Sequence, residues 1–280
     1  MEGAIAVSGF ASILFVALIF LFLFKEGVRL FAVVSLPGFL AGTSWHPIST
    51  PPQFGVLPLI IGSLFVTMGA LMIAVPLSLA SAFYIADVAR GTTKELLKSG
   101  IELLAAIPSV VIGFIGMTVL APLLRQLFHL PTGLTAFTGA VALAFMAAPT
   151  IISITEDAIT AVPRSYREGA LALGATRWQT MYRIVLPAAG PGIVAAVMLG
   201  VGRIIGETMA VMMVTGNAGV IPRSLLQPVR TMTATIAAEM GETVRGSDHY
   251  HALFAVGIVL FIVTFIINWC ADLFLHREQR

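Results

Sequence analysis

Long runs without a formal charge constrain this sequence more than any other feature. Residues 4–24, 56–86, 103–124, 134–155 and 252–271 contain no Asp, Glu, Lys or Arg, and the run 184–216 contains only Arg203 and Glu207. A helix needs about 20 mostly apolar residues to cross a hydrocarbon core roughly 30 Å thick, so each run is long enough. Outer-membrane strands are about ten residues long and alternate in polarity, which these runs do not. Composition agrees: 11% of the residues are charged, against roughly 25% in soluble domains. A soluble fold so poor in charge would leave large apolar patches facing water. The expectation is an all-α integral membrane protein with six transmembrane helices, a single transmembrane domain over residues 1–280.

The first run has no Lys or Arg before it, and Lys25-Glu26 follows it in place of a small-residue cleavage site. It therefore reads as a retained helix and not as a secretory signal. Basic residues set the expected orientation. Segments 87–102, 156–183 and 272–280 hold nine Lys or Arg in 53 positions, against six in 75 for 25–55, 125–133 and 217–251. The first group is thus expected in the cytoplasm, together with both termini. Pro76, Pro108, Pro122, Pro149, Pro187 and Pro191 fall within the apolar runs. Each frees backbone groups that neighbouring helices or a water-filled cavity must satisfy, which suits a transporter or channel better than an anchor.

Enzymatic chemistry finds little support. None of the three lysines (Lys25, Lys94, Lys98) follows a glycine, so there is no Gly-Lys-Ser/Thr phosphate loop for ATP. His249-Tyr250-His251 lacks a cysteine companion or an evident carboxylate set for a metal. Cys270, at the end of an apolar run, is the only cysteine; it cannot pair within the chain and reads as a packed hydrophobe. No metal site and no catalytic residue is expected.

Two places concentrate polar information. In the loop 156–183, Pro163 suits the start of a helix, the Ala/Leu run its continuation and Gly174 its end. Thr176 then suits the cap of a second short helix through Trp178 and Tyr182. Two short helices joined at a glycine make a knob for a partner's groove; an amphipathic segment lying on the membrane is the alternative. The second place is the pair inside the fifth run. Arg203 and Glu207, four residues apart, are expected on one helix face, with Arg203 about 22 Å along the axis from Ala188. An arginine at a helix centre costs about 2.5–3.5 kcal/mol on insertion scales, so it must face protein or water. Gly200, Gly202 and Gly206 keep the surroundings thin. A structural ion pair is one reading. The other is an anion path, because a guanidinium fork suits phosphate or sulfate oxygens. A paired glutamate would keep the anion from binding too tightly, and it could accept the proton that phosphate retains near neutral pH.

Two resemblances rest on these residues. Glu168-Gly169-Ala170, then Gly174, then Ile184-Val185-Leu186-Pro187 resembles the E-A-A…G…I-x-L-P motif of ABC importer permeases, with Gly169 where the motif usually has Ala. The segment from Gly202-Arg203 through Gly206-Glu207-Thr208-Met209-Ala210-Val211, with Arg230-Thr-Met-Thr-Ala-Thr-Ile-Ala-Ala-Glu239, is similar to phosphate ABC transporter permeases of the PstC type. Trp45-His-Pro47, Phe54-Gly-Val-Leu-Pro58 and Glu102-Leu-Leu-Ala-Ala-Ile-Pro108-Ser109 agree, so the resemblance runs from about residue 26 to residue 270.

The resemblance implies an inner-membrane permease that moves phosphate inward by alternating access. The implied partners are a sister permease, two copies of a cytoplasmic ATPase carrying the ATP and Mg, and an external phosphate-binding protein docking on 25–55 and 217–251. Glu168, Gly169, Ala170, Gly174 and Pro187 are implied in contact with the ATPase. Arg203, Glu207, Thr208, Glu102 and Ser109 are implied along the substrate path, the last two on a third span broken near Pro108. Residues 231–240 suit a short helix folded back toward the pore. A permease for sulfate or molybdate, or a non-conducting phosphate-sensing scaffold, remains open at this point.

Overall fold

The computed structural model describes the backbone of residues 2–278 and the side chains of residues 6–269. The expectation for Cys270 therefore lies outside the described side chains. Helix α1 (Glu2–Val28) runs on through a tight turn to Ala32. Helix α2 (Leu36–Ala41) starts at Ser35, whose hydroxyl accepts the Gly38 N–H at 3.2 Å. Strand β1 (Trp45–His46) pairs antiparallel with β2 (Gln53–Phe54), Trp45 opposite Phe54. Then follow α3 (Leu57–Phe83), α4 (Thr92–Ala106), α5 (Ser109–Ile115), α6 (Ala121–Leu127), α7 (Ala136–Ala161), α8 (Arg164–Ala172), α9 (Arg177–Thr180), α10 (Leu186–Gly206), α11 (Met209–Val214), α12 (Met232–Glu239) and α13 (Asp248–Glu278).

Six helical stretches among the described residues are long and apolar enough to cross a membrane, in the expected order. Several spans are welded from two helices by a wide π turn. Gly116–Leu120 joins α5 to α6 just before Pro122, and Met181–Val185 joins α9 to α10 just before Pro187. A proline clashes with the carbonyl four residues back, and the looser turn makes room for it. Pro76, Pro149 and Pro191 sit inside continuous helices.

Helix α7 forms the centre, packed against α3 and α10. Val66, Ala70, Ala140, Leu143, Ala147, Ile151 and Ile204 meet there, all buried. With little hydrophobic drive between helices in lipid, close approach of small residues supplies the packing. A Cβ added at Gly69 would stand 2.9 Å from that of Ala140, so glycine is what lets α3 and α7 approach. Helix α1 is peripheral; its main packing is on α13, with Phe20 against Phe261 and Phe22 against Phe254. At the hairpin end, Phe39, Trp45, Phe54, Leu59, Met232 and Leu253 form a second apolar cluster.

Two expectations are corrected. The third span begins at Ser109 and not at 103, because Ile107 and Pro108 are extended (ψ 124° and 139°). Proline disfavours helical geometry in the residue before it, so residues 103–106 and Glu102 belong to the separate amphipathic helix α4. The fifth run is not one helix over 184–216: α10 ends at Gly206, Glu207 is extended at ψ 134°, and α11 restarts at Met209.

Candidate functional site

The break after Gly206 separates the two charges of the fifth run. Arg203 lies in the last turn of α10, exposed on the chain, and its Nη1 donates to the Thr150 hydroxyl of α7 at 3.2 Å. Glu207 has swung out of helical register. Its carboxylate accepts the Ala210 N–H at 3.1 Å, capping α11, and its carbonyl accepts the Thr233 hydroxyl at 2.9 Å. The expected ion pair on a shared face is therefore absent: among the described residues Arg203 and Glu207 make no salt bridge. The physical reason is the extended Glu207 backbone, which removes the helical i, i+4 relation. A neutral hydroxyl steadies the guanidinium without neutralising it, so its charge stays available to an anion. Thr208 beside them turns its hydroxyl back to the Gly206 carbonyl at 3.3 Å.

Helix α12 returns to this break as expected. Thr231 caps it by accepting the Ala234 N–H, and the Met232 N–H donates to Ser63 Oγ of α3 at 3.0 Å. Thr233 and Thr150, the two hydroxyls that hold the Glu207 carbonyl and the Arg203 head, were not legible as site residues. Neutral threonines in apolar helices carry no signal apart from their tertiary neighbours.

A groove of about 420 Å³ runs between α4 and α7, with Glu102, Thr150, Ser153 and Asp157 among its lining residues. Glu102 thus lines the same groove as Thr150, which holds Arg203, while Ser109 begins α5 beyond the Pro108 break. Glu156, also in the lining, is 2% exposed. Lys94 Nζ reaches one of its oxygens at 3.0 Å and Lys98 Nζ the other at 2.6 Å. The hydrogen bond to Glu156 holds the Lys98 ammonium above its ordinary pKa, with partial burial opposing it. No residue of α4 is buried; these two ion pairs and the packing of Ile101 against Ala82, Ile85 and Ile152 attach it to the bundle. Placing Glu156 at the edge of a loop hid this; α7 continues to Ala161 and carries it into the bundle. Lys94 and Lys98, one turn apart on α4, were the available signal.

From Pro163 to Thr180 the segment folds as expected. Pro163 precedes α8, Gly174 terminates it at φ +84°, and Thr176 and Gln179 form a reciprocal capping box on α9. A positive φ suits glycine because it lacks a Cβ. Glu168, Gly169, Gly174 and Pro187 are exposed, whereas Ala170 is buried beneath α8. Leu173 at the tip is 91% exposed. Arg167 pins α8 to the bundle, bonding Asp87 Oδ1 and the Ile159 carbonyl, each at 3.2 Å. Trp178 packs edge-on against Phe83 and stacks on Tyr182.

At the hairpin end, Glu239 gathers Trp45 Nε1 (3.0 Å), His249 Nε2 (2.8 Å) and Arg230. His251 lies 3.5 Å from Glu26. The histidines thus find carboxylates on other elements, which spacing within their own segment did not reveal.

A six-span bundle with a capped double helix projecting from one end has the architecture of an ABC importer permease subunit. Residues 74–280 match the family described as binding-protein-dependent transport system inner membrane component, and the chain belongs to that family. It is a multi-pass membrane transport subunit. A probable ABC transporter permease protein YqgH of Bacillus subtilis is 42% identical over 95% of this chain and 87% of its own length. The phosphate transport system permease protein PstC of Mesorhizobium japonicum is 38% identical over 85% of this chain and 78% of its own. Among solved structures, a bacterial alginate ABC transporter in complex with a pentasaccharide-bound periplasmic protein aligns with a TM-score of 0.66 at 18% identity, covering 96% of this chain and 93% of that one. The MetNI methionine ABC transporter, in an inward-facing conformation, aligns at 0.61 and 17% identity over 80% of this chain and 97% of that chain. These two alignments establish the fold.

Proposed function

We propose that this chain conducts inorganic phosphate inward across the bacterial inner membrane by alternating access, beside a sister permease. Two copies of a cytoplasmic ATPase, with ATP and Mg bound there, would power it through α8 and α9. An external binding protein would deliver the anion at the hairpin end. In this orientation both termini and the α8–α9 knob face the cytoplasm, as the basic residues favour. The observation that carries the reading is Arg203: a guanidinium within an otherwise apolar helix, exposed on this chain and held by the Thr150 hydroxyl instead of a carboxylate. Its charge needs a partner from outside the chain, and an oxyanion is one that can leave again. The similarity to PstC permeases favours phosphate over other oxyanions. Conduction also requires that the anion bind the two states with different affinity, and the helix break at Glu207 beside Arg203 is where the surroundings can differ.

The test is ATP-driven uptake of labelled phosphate, with sulfate competing, in vesicles holding all four components. Arg203→Gln should lower uptake by roughly tenfold or more, the loss expected for one charge-assisted hydrogen bond, with assembly intact. Normal uptake by that variant returns Arg203 to a structural role, and uptake that sulfate blocks reassigns the substrate.

A further inference from the structure

The α8–α9 end carries more cationic charge than its packing uses. Arg90, Arg167 and Arg177 line one cavity of about 340 Å³, together with Asp87 and Thr180. Volumes from about 300 Å³ are typical of small-ligand sites. Arg167 is occupied by Asp87 and the Ile159 carbonyl. The side chains of Arg90 and Arg177 have neither hydrogen bond nor ion pair among the described residues. With Asp87 as the only acid lining it, the cavity carries a formal charge of +2 (three arginines less one aspartate).

Three different elements contribute these groups. Arg90 sits after α3, next to Gly91, whose φ of +53° turns the chain back toward α4. Arg167 projects from α8 and Arg177 opens α9. Thr180 is 5% exposed and its hydroxyl has no hydrogen-bond partner. Buried hydroxyls are nearly always satisfied, and an orphan one costs about 1–3 kcal/mol. Two free guanidinium forks around one space supply planar donors for the oxygens of a tetrahedral oxyanion, while the orphan Thr180 hydroxyl is buried in the wall.

We propose that this cavity binds a phosphoryl-class oxyanion, either free inorganic phosphate or the headgroup of an anionic phospholipid. The bound anion would tie the end of the second span to α8 and α9, so that anchoring of the knob depends on the anion's concentration. The site is separate from Arg203 and does not depend on which solute the path carries.

The complex of this chain with its sister permease and ATPase, in nanodiscs without nucleotide, allows a direct test. With purely zwitterionic lipid, labelled inorganic phosphate is titrated and bound counts are read; a parallel preparation with phosphatidylglycerol is read by native mass spectrometry. Hydrogen–deuterium exchange over 84–92 and 164–180 locates the effect. The expected result is one saturable site per copy of this chain in addition to any phosphate held at Arg203, with slowed exchange in both segments. Arg177→Gln, and separately Arg90→Gln, should weaken it roughly tenfold, while Arg203→Gln leaves it unchanged. Retention of phosphatidylglycerol with the same dependence on Arg90 and Arg177 supports the site with lipid as its occupant. Absence of both ligands, or binding lost in Arg203→Gln and kept in the Arg90 and Arg177 variants, overturns the proposal.

Discussion

Helix α4 should come away from the bundle when Glu156 loses its charge. The helix has no buried residue, and its outward face shows Leu96 and Leu103, 68% and 71% exposed. Beside the packing of Ile101 against Ala82, Ile85 and Ile152, it is held by the two lysine contacts at 3.0 and 2.6 Å on a carboxylate that is itself 2% exposed. A hydrogen bond to a charged group contributes about 1.5–3 kcal/mol. The lysine side chains are 31% and 45% exposed, so water recovers part of their solvation and the two contacts together are worth about 2 kcal/mol. Glu156→Gln should therefore raise the opening equilibrium of α4 roughly 30-fold, read as faster amide exchange over residues 92–106 in the assembled complex. Replacing both lysines by Met should cost more, about 3–5 kcal/mol, because it leaves the carboxylate buried and unpaired. The pKa of Lys98 is raised above 10.5 by its bond to Glu156. Its share of the anchoring is thus complete below that value and lost only as pH rises through the raised one. Unchanged exchange in Glu156→Gln, or a smaller effect from the double lysine variant than from Glu156→Gln, would refute this account of how α4 is held.

Thr150→Val removes the hydroxyl that orients Arg203, so phosphate uptake should fall by roughly three- to tenfold with assembly preserved, measured in the same vesicles. Gly169→Ala meets nothing within 4 Å and should stabilise α8 by about 1 kcal/mol, raising the thermal midpoint without lowering uptake. Gly174→Ala should instead cost about 1–2 kcal/mol, because its φ of +84° disfavours a Cβ, and should weaken ATPase association in a pull-down. At Gly62 an added Cβ would strike the Arg230 carbonyl oxygen. Gly62→Ala should cost about 1–3 kcal/mol by overpacking, and faster exchange over 229–235 would show the displaced strand of chain leading into α12.

The six spans, their order and the two capped helices of the knob were legible because each depends on local rules: apolar length, proline and glycine placement, and a Thr-x-x-Gln cap. Arg203 was also legible, since a charge inside an apolar run cannot be hidden from its neighbours' composition. Its partner was not. Sequence spacing pointed to Glu207, but the extended backbone at Glu207 sends that carboxylate to the Ala210 N–H and leaves Thr150, 53 residues away, to hold the arginine. Likewise, Pro108 marked a break, yet only packing shows that the helix before it is tied to α7 through Glu156. The sequence alone determined how many spans there are and which charges lie among them. The tertiary structure decided which of those charges meet, because a buried charge takes the partner that packing brings within reach, whatever the spacing along its own helix.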